Sequence, residues 1–138
     1  MKALCKNLFL FIVGGILYYL IEIIWRGHSH FSMFFVGGLC FVLIGKINEY
    51  ISWETPVYIQ SILGSIIITT IEFISGCILN IWLGLGVWDY SNIPFNLFGQ
   101  ICLPFSILWI FVSFFAIFID DYIRYLFFGE EKPRYKWR

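Results

Sequence analysis

Apolar residues run almost unbroken over Leu8–Trp25, Phe31–Ile47, Val57–Leu83 and Leu97–Ile119, and the polar clusters fall between these runs. A helix needs about 20 residues to cross roughly 30 Å of hydrocarbon, with about 17–25 tolerated. Each run is therefore expected to be a membrane-spanning helix. The second is short unless it takes in Tyr50 and Ile51, and the third is long enough to tilt or protrude. The expectation is an all-α, polytopic integral membrane protein: a four-transmembrane-helix bundle in one domain, residues 1–138. Its spans lie at about 8–25, 31–51, 57–83 and 97–119, with a tail over 120–138. Lys2 and Lys6 precede the first run as in a secretory signal, but no small-residue cleavage site follows. The run ends in Glu22, Trp25 and Arg26 and reads as a retained span.

Two carboxylates interrupt this pattern. Glu22 in Ile21-Glu22-Ile23 and Glu72 in Ile71-Glu72-Phe73 sit at comparable depths of the first and third runs. A charged side chain at the bilayer centre costs roughly 2.5–3.5 kcal/mol on insertion scales, so both must be satisfied internally and both mark a candidate site.

Composition narrows the class. The chain is 60% hydrophobic, 22% aromatic and 13% charged, with a mean hydropathy of +0.84. Soluble domains are about 45–50% apolar and about 25% charged, and little chain is left over for a sizeable water-soluble domain. A net charge of zero argues against a nucleic-acid partner. Cys5, Cys40, Cys77 and Cys102 are scattered with no C-x-x-C pair. They read as small apolar residues rather than metal or redox groups. Their spacing also excludes the four-helix quinone-linked disulfide oxidoreductases, and no cofactor is expected.

Basic residues set the expected orientation. With both termini cytoplasmic, the inner face of a cell membrane holds Lys2, Lys6, Lys46, Arg124, Lys132, Arg134, Lys136 and Arg138, leaving Arg26 outside. Trp25, Trp53, Trp88 and Trp137 fall at or beyond span ends, where indoles favour the interface. The segment Glu130–Arg138 reads as an interfacial anchor. A weak repeat relates Gly37-Gly38-Leu39-Cys40 to Gly99-Gln100-Ile101-Cys102, and the two Ile-Glu sites to each other. Either a helix hairpin is duplicated in tandem, or the biased composition produces the likeness.

On the third run Ser65, Thr69, Glu72, Gly76 and Asn80 recur every three or four residues and share a helix face. On the first, Tyr18, Glu22 and Arg26 form a similar stripe, with Glu22 and Arg26 spaced to pair. The second contributes Gly38, Gly45 and Asn48. The fourth has Gln100 near its outer end and Pro104 one turn on, where proline frees a carbonyl. With the loops after the first and third runs outside, Glu22, Arg26, Glu72, Asn80 and Asp89 would surround a polar cavity open to the outer face. The alternative is polar glue, with Arg26 neutralising Glu22 or Asp89 and Glu72 protonated. His28 and His30 are two apart with no further histidine, a weak zinc signal better read as loop histidines. Ser29 and Ser32 lack any oxyanion-hole signature, and no catalytic residue is assigned.

The runs Gly27-His28-Ser29-His30-Phe31-Ser32-Met33, Ile71-Glu72-Phe73-Ile74-Ser75-Gly76, Trp88-Asp89-Tyr90-Ser91 and Gly99-Gln100-Ile101-Cys102 carry a resemblance. The chain resembles the small bacterial membrane proteins of the ABC-transporter type IV permease (CmpB) family. The Glu-Phe-x-x-Gly and Trp-Asp-Tyr-Ser pieces also resemble the transmembrane protein 229 family. The likeness covers about Gly15 to Asp121 and implies a transport component in the bacterial inner membrane. It carries over first onto Glu72, Trp88, Asp89 and Tyr90. No phosphate-binding Gly-x-x-x-x-Gly-Lys-[Ser/Thr] loop is present, so any ATPase is a separate chain. Alternatives are a non-catalytic scaffold or partner-binding subunit, and a small intramembrane enzyme acting on lipid. Membrane lipids are expected partners. A homo-oligomer is expected too, because exposed Gly and Ser stripes invite a second copy.

Overall fold

The computed structural model describes residues 2–27, 30–47, 55–130 and 135. Four helices dominate: α1 (Lys2–Arg26), α2 (Phe31–Gly45), α3 (Val57–Gly76) and α4 (Leu103–Phe128). A π-helical segment, Cys77–Trp82, continues α3, and a two-stranded antiparallel ribbon of β1 (Asn96–Leu97) and β2 (Ile101–Cys102) precedes α4. Leu4–Ile24, Val57–Trp82 and Leu103–Phe128 are each long and apolar enough to cross a membrane. The described α2 helix has 15 residues, about 22 Å at 1.5 Å per residue, short of the roughly 30 Å hydrocarbon core. Tyr50 and Ile51, which would lengthen it, lie outside the described residues, as do Asn48, Trp53 and Trp137.

Local chemistry sets the helix ends. The His30 ring accepts from the Ser32 amide at 3.2 Å, capping an amide at the start of α2 that has no partner within the helix. Pro56 precedes α3, and Gly129 (φ 66°) ends α4 in the left-handed conformation that favours glycine. The fourth run does not begin its helix at Leu97. Phe95, Phe98 and Gly99 have φ of 59°, 55° and 73°, which no right-handed helix accommodates, so Leu97–Cys102 forms the ribbon and its turn. Gln100 is therefore a turn residue. Pro104 lies in the first turn of α4 and frees no carbonyl, because the first amides of a helix have no partner to lose. The helix also runs past Ile119 to Phe128, its charges paired as described below.

The helices pack as two hairpins. In the first, Gly14 and Gly15 lie against Phe41 and Phe34, while Gly37 and Gly38 lie against Tyr18 and Phe11; a Cβ at any of the four would collide. In the second, the Ser65 hydroxyl donates to the Ser106 carbonyl at 2.6 Å, and the Thr69 and Ser106 hydroxyls are bonded at 3.0 Å. Ser65, Thr69 and Glu72 of the stripe thus face α4, whereas Gly76 and Asn80 face the segment that precedes it. Cys40, Ile44 and Ile47 of the first hairpin join Ile68, Trp109 and Ile117 of the second in a shared core. Helices α1 and α4 meet where Lys6 pairs with Glu130 at 2.7 Å and Phe9 packs on Phe127 and Phe128. Toward the opposite end a crevice opens between them, floored by α2. The suggested repeat has no equivalent setting in its two copies: Gly37–Cys40 is helical, whereas Gly99–Cys102 is turn and strand.

Candidate functional site

Glu72 is only 4% exposed on the inward face of α3. One carboxylate oxygen accepts from the Tyr90 hydroxyl at 3.0 Å, the other from the Trp109 indole at 3.3 Å. Both donors are neutral. A carboxylate has about four lone-pair sites, so these two bonds leave acceptor capacity on Glu72.

Tyr90 reaches Glu72 because the segment between α3 and α4 folds back over the helix end. Asn80, in the π-helical segment, organises this fold. Its carbonyl oxygen accepts from the amides of Val87 (2.6 Å) and Trp88 (3.4 Å), and its amide donates to the Gln100 side chain at 2.8 Å. Gln100 in turn donates to the Phe98 carbonyl, and its own carbonyl accepts from the Trp88 indole at 3.0 Å. Gly76 lets this web settle, since a Cβ there would sit 2.5 Å from the Gln100 amide oxygen and 3.0 Å from the Trp88 ring. Trp88 is thus buried over the end of α3 rather than placed at an interface. The Tyr90 amide then donates to the Gly99 carbonyl at 2.7 Å, and its ring stacks on Phe105 at 4.8 Å and 9°. Burial, reinforced by the neighbouring Glu72 carboxylate, pushes the Tyr90 hydroxyl well above its usual pKa, so it remains a proton donor.

A cavity of about 230 Å³ adjoins this arrangement, and Glu22, Glu72, Trp88 and Tyr90 all line it. Tyr18, Phe105 and Trp109 complete an aromatic wall: Phe105 and Trp109 have ring centres 6.3 Å apart, Trp109 and Tyr18 6.1 Å. The cavity thus joins both carboxylates singled out by the sequence. Asn80 and Gln100 do not line it; they hold the loop that does. Asp89 is exposed and absent from the lining; its oxygen accepts from the Ser91 amide at 2.9 Å, closing a local turn. The Ser91 amide and then its hydroxyl hold the Asp89 carboxyl below the usual carboxylate range. The Arg26 side chain and His28 lie outside the described residues.

A second buried polar group stands at the other end of the bundle and is not singled out by the sequence reading. Asp120, fully buried, pairs with Arg124 at 3.0 Å, and Arg124 lies 3.7 Å from Glu130. Gly45 gives the Asp120 carboxylate its room, and the Tyr135 hydroxyl donates to Asp121 at 2.8 Å. Spacings of seven and four from Ser113 through Asp120 to Arg124 put all three on one helix face. That regularity is the signal that could have found the group.

Long apolar helices define a small helical membrane protein, and near one end of it lies a cavity lined by two carboxylates and several aromatic rings. Residues 9–130 match the model of a family described as "Putative ABC-transporter type IV" (ABC_trans_CmpB), and the chain belongs to that family. No curated protein and no solved structure matches it.

Proposed function

We propose that this chain is a membrane-embedded transport component, a permease-like subunit whose Glu72 cavity receives a solute from the outer face. The observation that carries this reading is Glu72 itself. A buried carboxylate beside open volume, held by two neutral donors, is a poor helix cement and a good ligand group. Family membership supports the same reading. The basic residues Lys6, Lys46 and Arg124 at one end support an orientation with both termini on the cytoplasmic side of a bacterial inner membrane. The cavity then faces outward. Cysteines placed singly at Asn92 and Thr55 should label from outside and inside respectively; outside labelling at Thr55 overturns this orientation.

A complete transporter requires more than this chain. An energy source would be a separate ATPase, and a second copy would cover the exposed apolar flanks of α1 and α4. Crosslinking in native membranes from several introduced cysteines should trap a homo-oligomer; monomer alone at every site removes that part. The functional test is complementation. A strain lacking the chain should be rescued by wild type and not by Glu72→Gln protein of equal abundance and thermal stability. Rescue by Glu72→Gln leaves the scaffold reading in its place.

A further inference from the structure

We propose that the Glu72 cavity binds a drug-sized hydrophobic cation. Its positively charged head would sit among the Glu72 carboxylate and the rings of Tyr18, Tyr90, Phe105 and Trp109, and its apolar body in the crevice between α1 and α4. This deepens the transport reading and rests on the cavity being a working site.

Wall chemistry selects the head group. The rings run in an unbroken series, Tyr90 on Phe105 at 4.8 Å, Phe105 to Trp109 at 6.3 Å and Trp109 to Tyr18 at 6.1 Å. Aromatic faces attract cations, and alkylated ammonium groups are what such walls recognise. Glu72 adds a carboxylate whose two bonded partners are both uncharged. Among the described residues lining the cavity there are two glutamates and no lysine, arginine or histidine. An anion is therefore disfavoured. A bare hard cation would need a shell of about six oxygens, and here most of the wall is ring and alkyl surface. A diffuse, weakly hydrated ammonium matches both charge and surface.

Shape selects the body. Tyr18, Ile21, Trp109 and Val112 line both the Glu72 cavity and a neighbouring cavity of about 310 Å³. The neighbour is walled by α1, α2 and α4 side chains such as Leu17, Phe41, Ile44 and Phe115, with no ionisable carboxylate among them. Binding sites for drug-sized molecules occupy about 300–1,000 Å³. One compact apolar body fits, and the bulk of a two-chain phospholipid does not.

The probe is dodecyltrimethylammonium, titrated onto the full chain in nanodiscs of zwitterionic lipid and followed by tryptophan fluorescence, since Trp88 and Trp109 line the cavity. The expected result is a saturable change that 1-dodecanol reproduces only at concentrations about 10-fold higher or more. Glu72→Gln should weaken cation binding about 10-fold or more. Phe105→Leu, which loses the stacking on Tyr90, should weaken it severalfold while the melting temperature falls by no more than about 6 °C. Tyr90→Phe, which keeps the ring, should stay within about 3-fold of wild type. Equal binding of dodecanol, or unchanged cation binding in Glu72→Gln, overturns the proposal. If the probe binds selectively but proteoliposomes never move it, the ligand assignment stands and the transport reading falls. If complementation requires Glu72 while the probe shows no charge preference, the reverse holds.

Discussion

Asn80 gives the sharpest link between loop architecture and the site. Asn80→Ala removes a donor to Gln100 at 2.8 Å and an acceptor for the Val87 amide at 2.6 Å, together with a longer contact from the Trp88 amide at 3.4 Å. A net hydrogen bond contributes about 1 kcal/mol, and a buried group left unsatisfied costs about 1–3 kcal/mol. Gln100 is only 5% exposed, so the stranded group is mainly its side-chain oxygen. Two well-formed bonds and one stranded acceptor sum to about 3 kcal/mol. At about 4 °C per kcal/mol for a chain of this size, the melting temperature in detergent should fall by about 10 °C. Asn80→Asp keeps the oxygen that receives the Val87 amide and loses the donor, so its fall should be smaller. Both variants should also weaken any ligand of the Glu72 cavity, because the loop that carries Tyr90 loses its anchor. A scan by intrinsic fluorescence or light scattering reads the shift. An Asn80→Ala protein melting within about 2 °C of wild type would refute the claim that Asn80 organises the loop.

The remaining expectations concern neighbouring parts of the molecule. Gly76→Ala places a Cβ against Gln100 and Trp88, and should lower the melting temperature by an amount consistent with about 1–3 kcal/mol of overpacking; an unchanged scan contradicts the packing. Asp89→Asn keeps an oxygen for the Ser91 amide and sits away from the cavity, so stability and complementation should both stay at wild-type levels. Loss of function there would return Asp89 to the site. Arg124→Ala leaves the buried Asp120 carboxylate without its cation and should cost about 3–5 kcal/mol. The paired change Asp120→Leu with Arg124→Leu should recover most of that in the same denaturation assay.

Much of this was legible in the sequence because it depends on local periodicity. Three to four residue spacing put Ser65, Thr69, Glu72, Gly76 and Asn80 on one face, and that face meets α4 through its first three members and the loop before α4 through the last two. The place of Glu22 and Glu72 within apolar runs was readable from their neighbours; Glu72 is buried, Glu22 half-buried, and both line one cavity. What failed depends on contacts between distant segments. Nothing local to Leu97–Cys102 announces that Phe95 and Phe98 adopt positive φ; the hydrogen bonds from Asn80, Trp88 and Tyr90 hold that turn, and hydrophobicity alone reads as helix. Trp88 looked interfacial because burial over Gly76 requires the loop to fold back. Trp109, an apolar-looking residue in an apolar run, donates to Glu72 only through tertiary packing. Asp120 and Arg124 fall in the expected tail because charge marks the end of an apolar run, whereas an ion pair spaced by four carries both charges inside the helix.

A transport role requires the volume beside Glu72 to be open to solute from the outer face. Leu108 is 41% exposed and lines that cavity, whereas Ile62 is 43% exposed on the flank of α3, so a cysteine at each, in a background without the four native cysteines, makes a pair matched in exposure. Membrane-impermeant trimethylammonium-ethyl and sulfonato-ethyl methanethiosulfonates would be applied from outside to proteoliposomes of known orientation. Leu108→Cys should react, faster with the cationic reagent than with the anionic one, and Glu72→Gln should erase that preference while Ile62→Cys stays unreactive. A Leu108→Cys protein that is correctly folded yet reacts no faster than Ile62→Cys would show a closed, dry core, and would contradict the account.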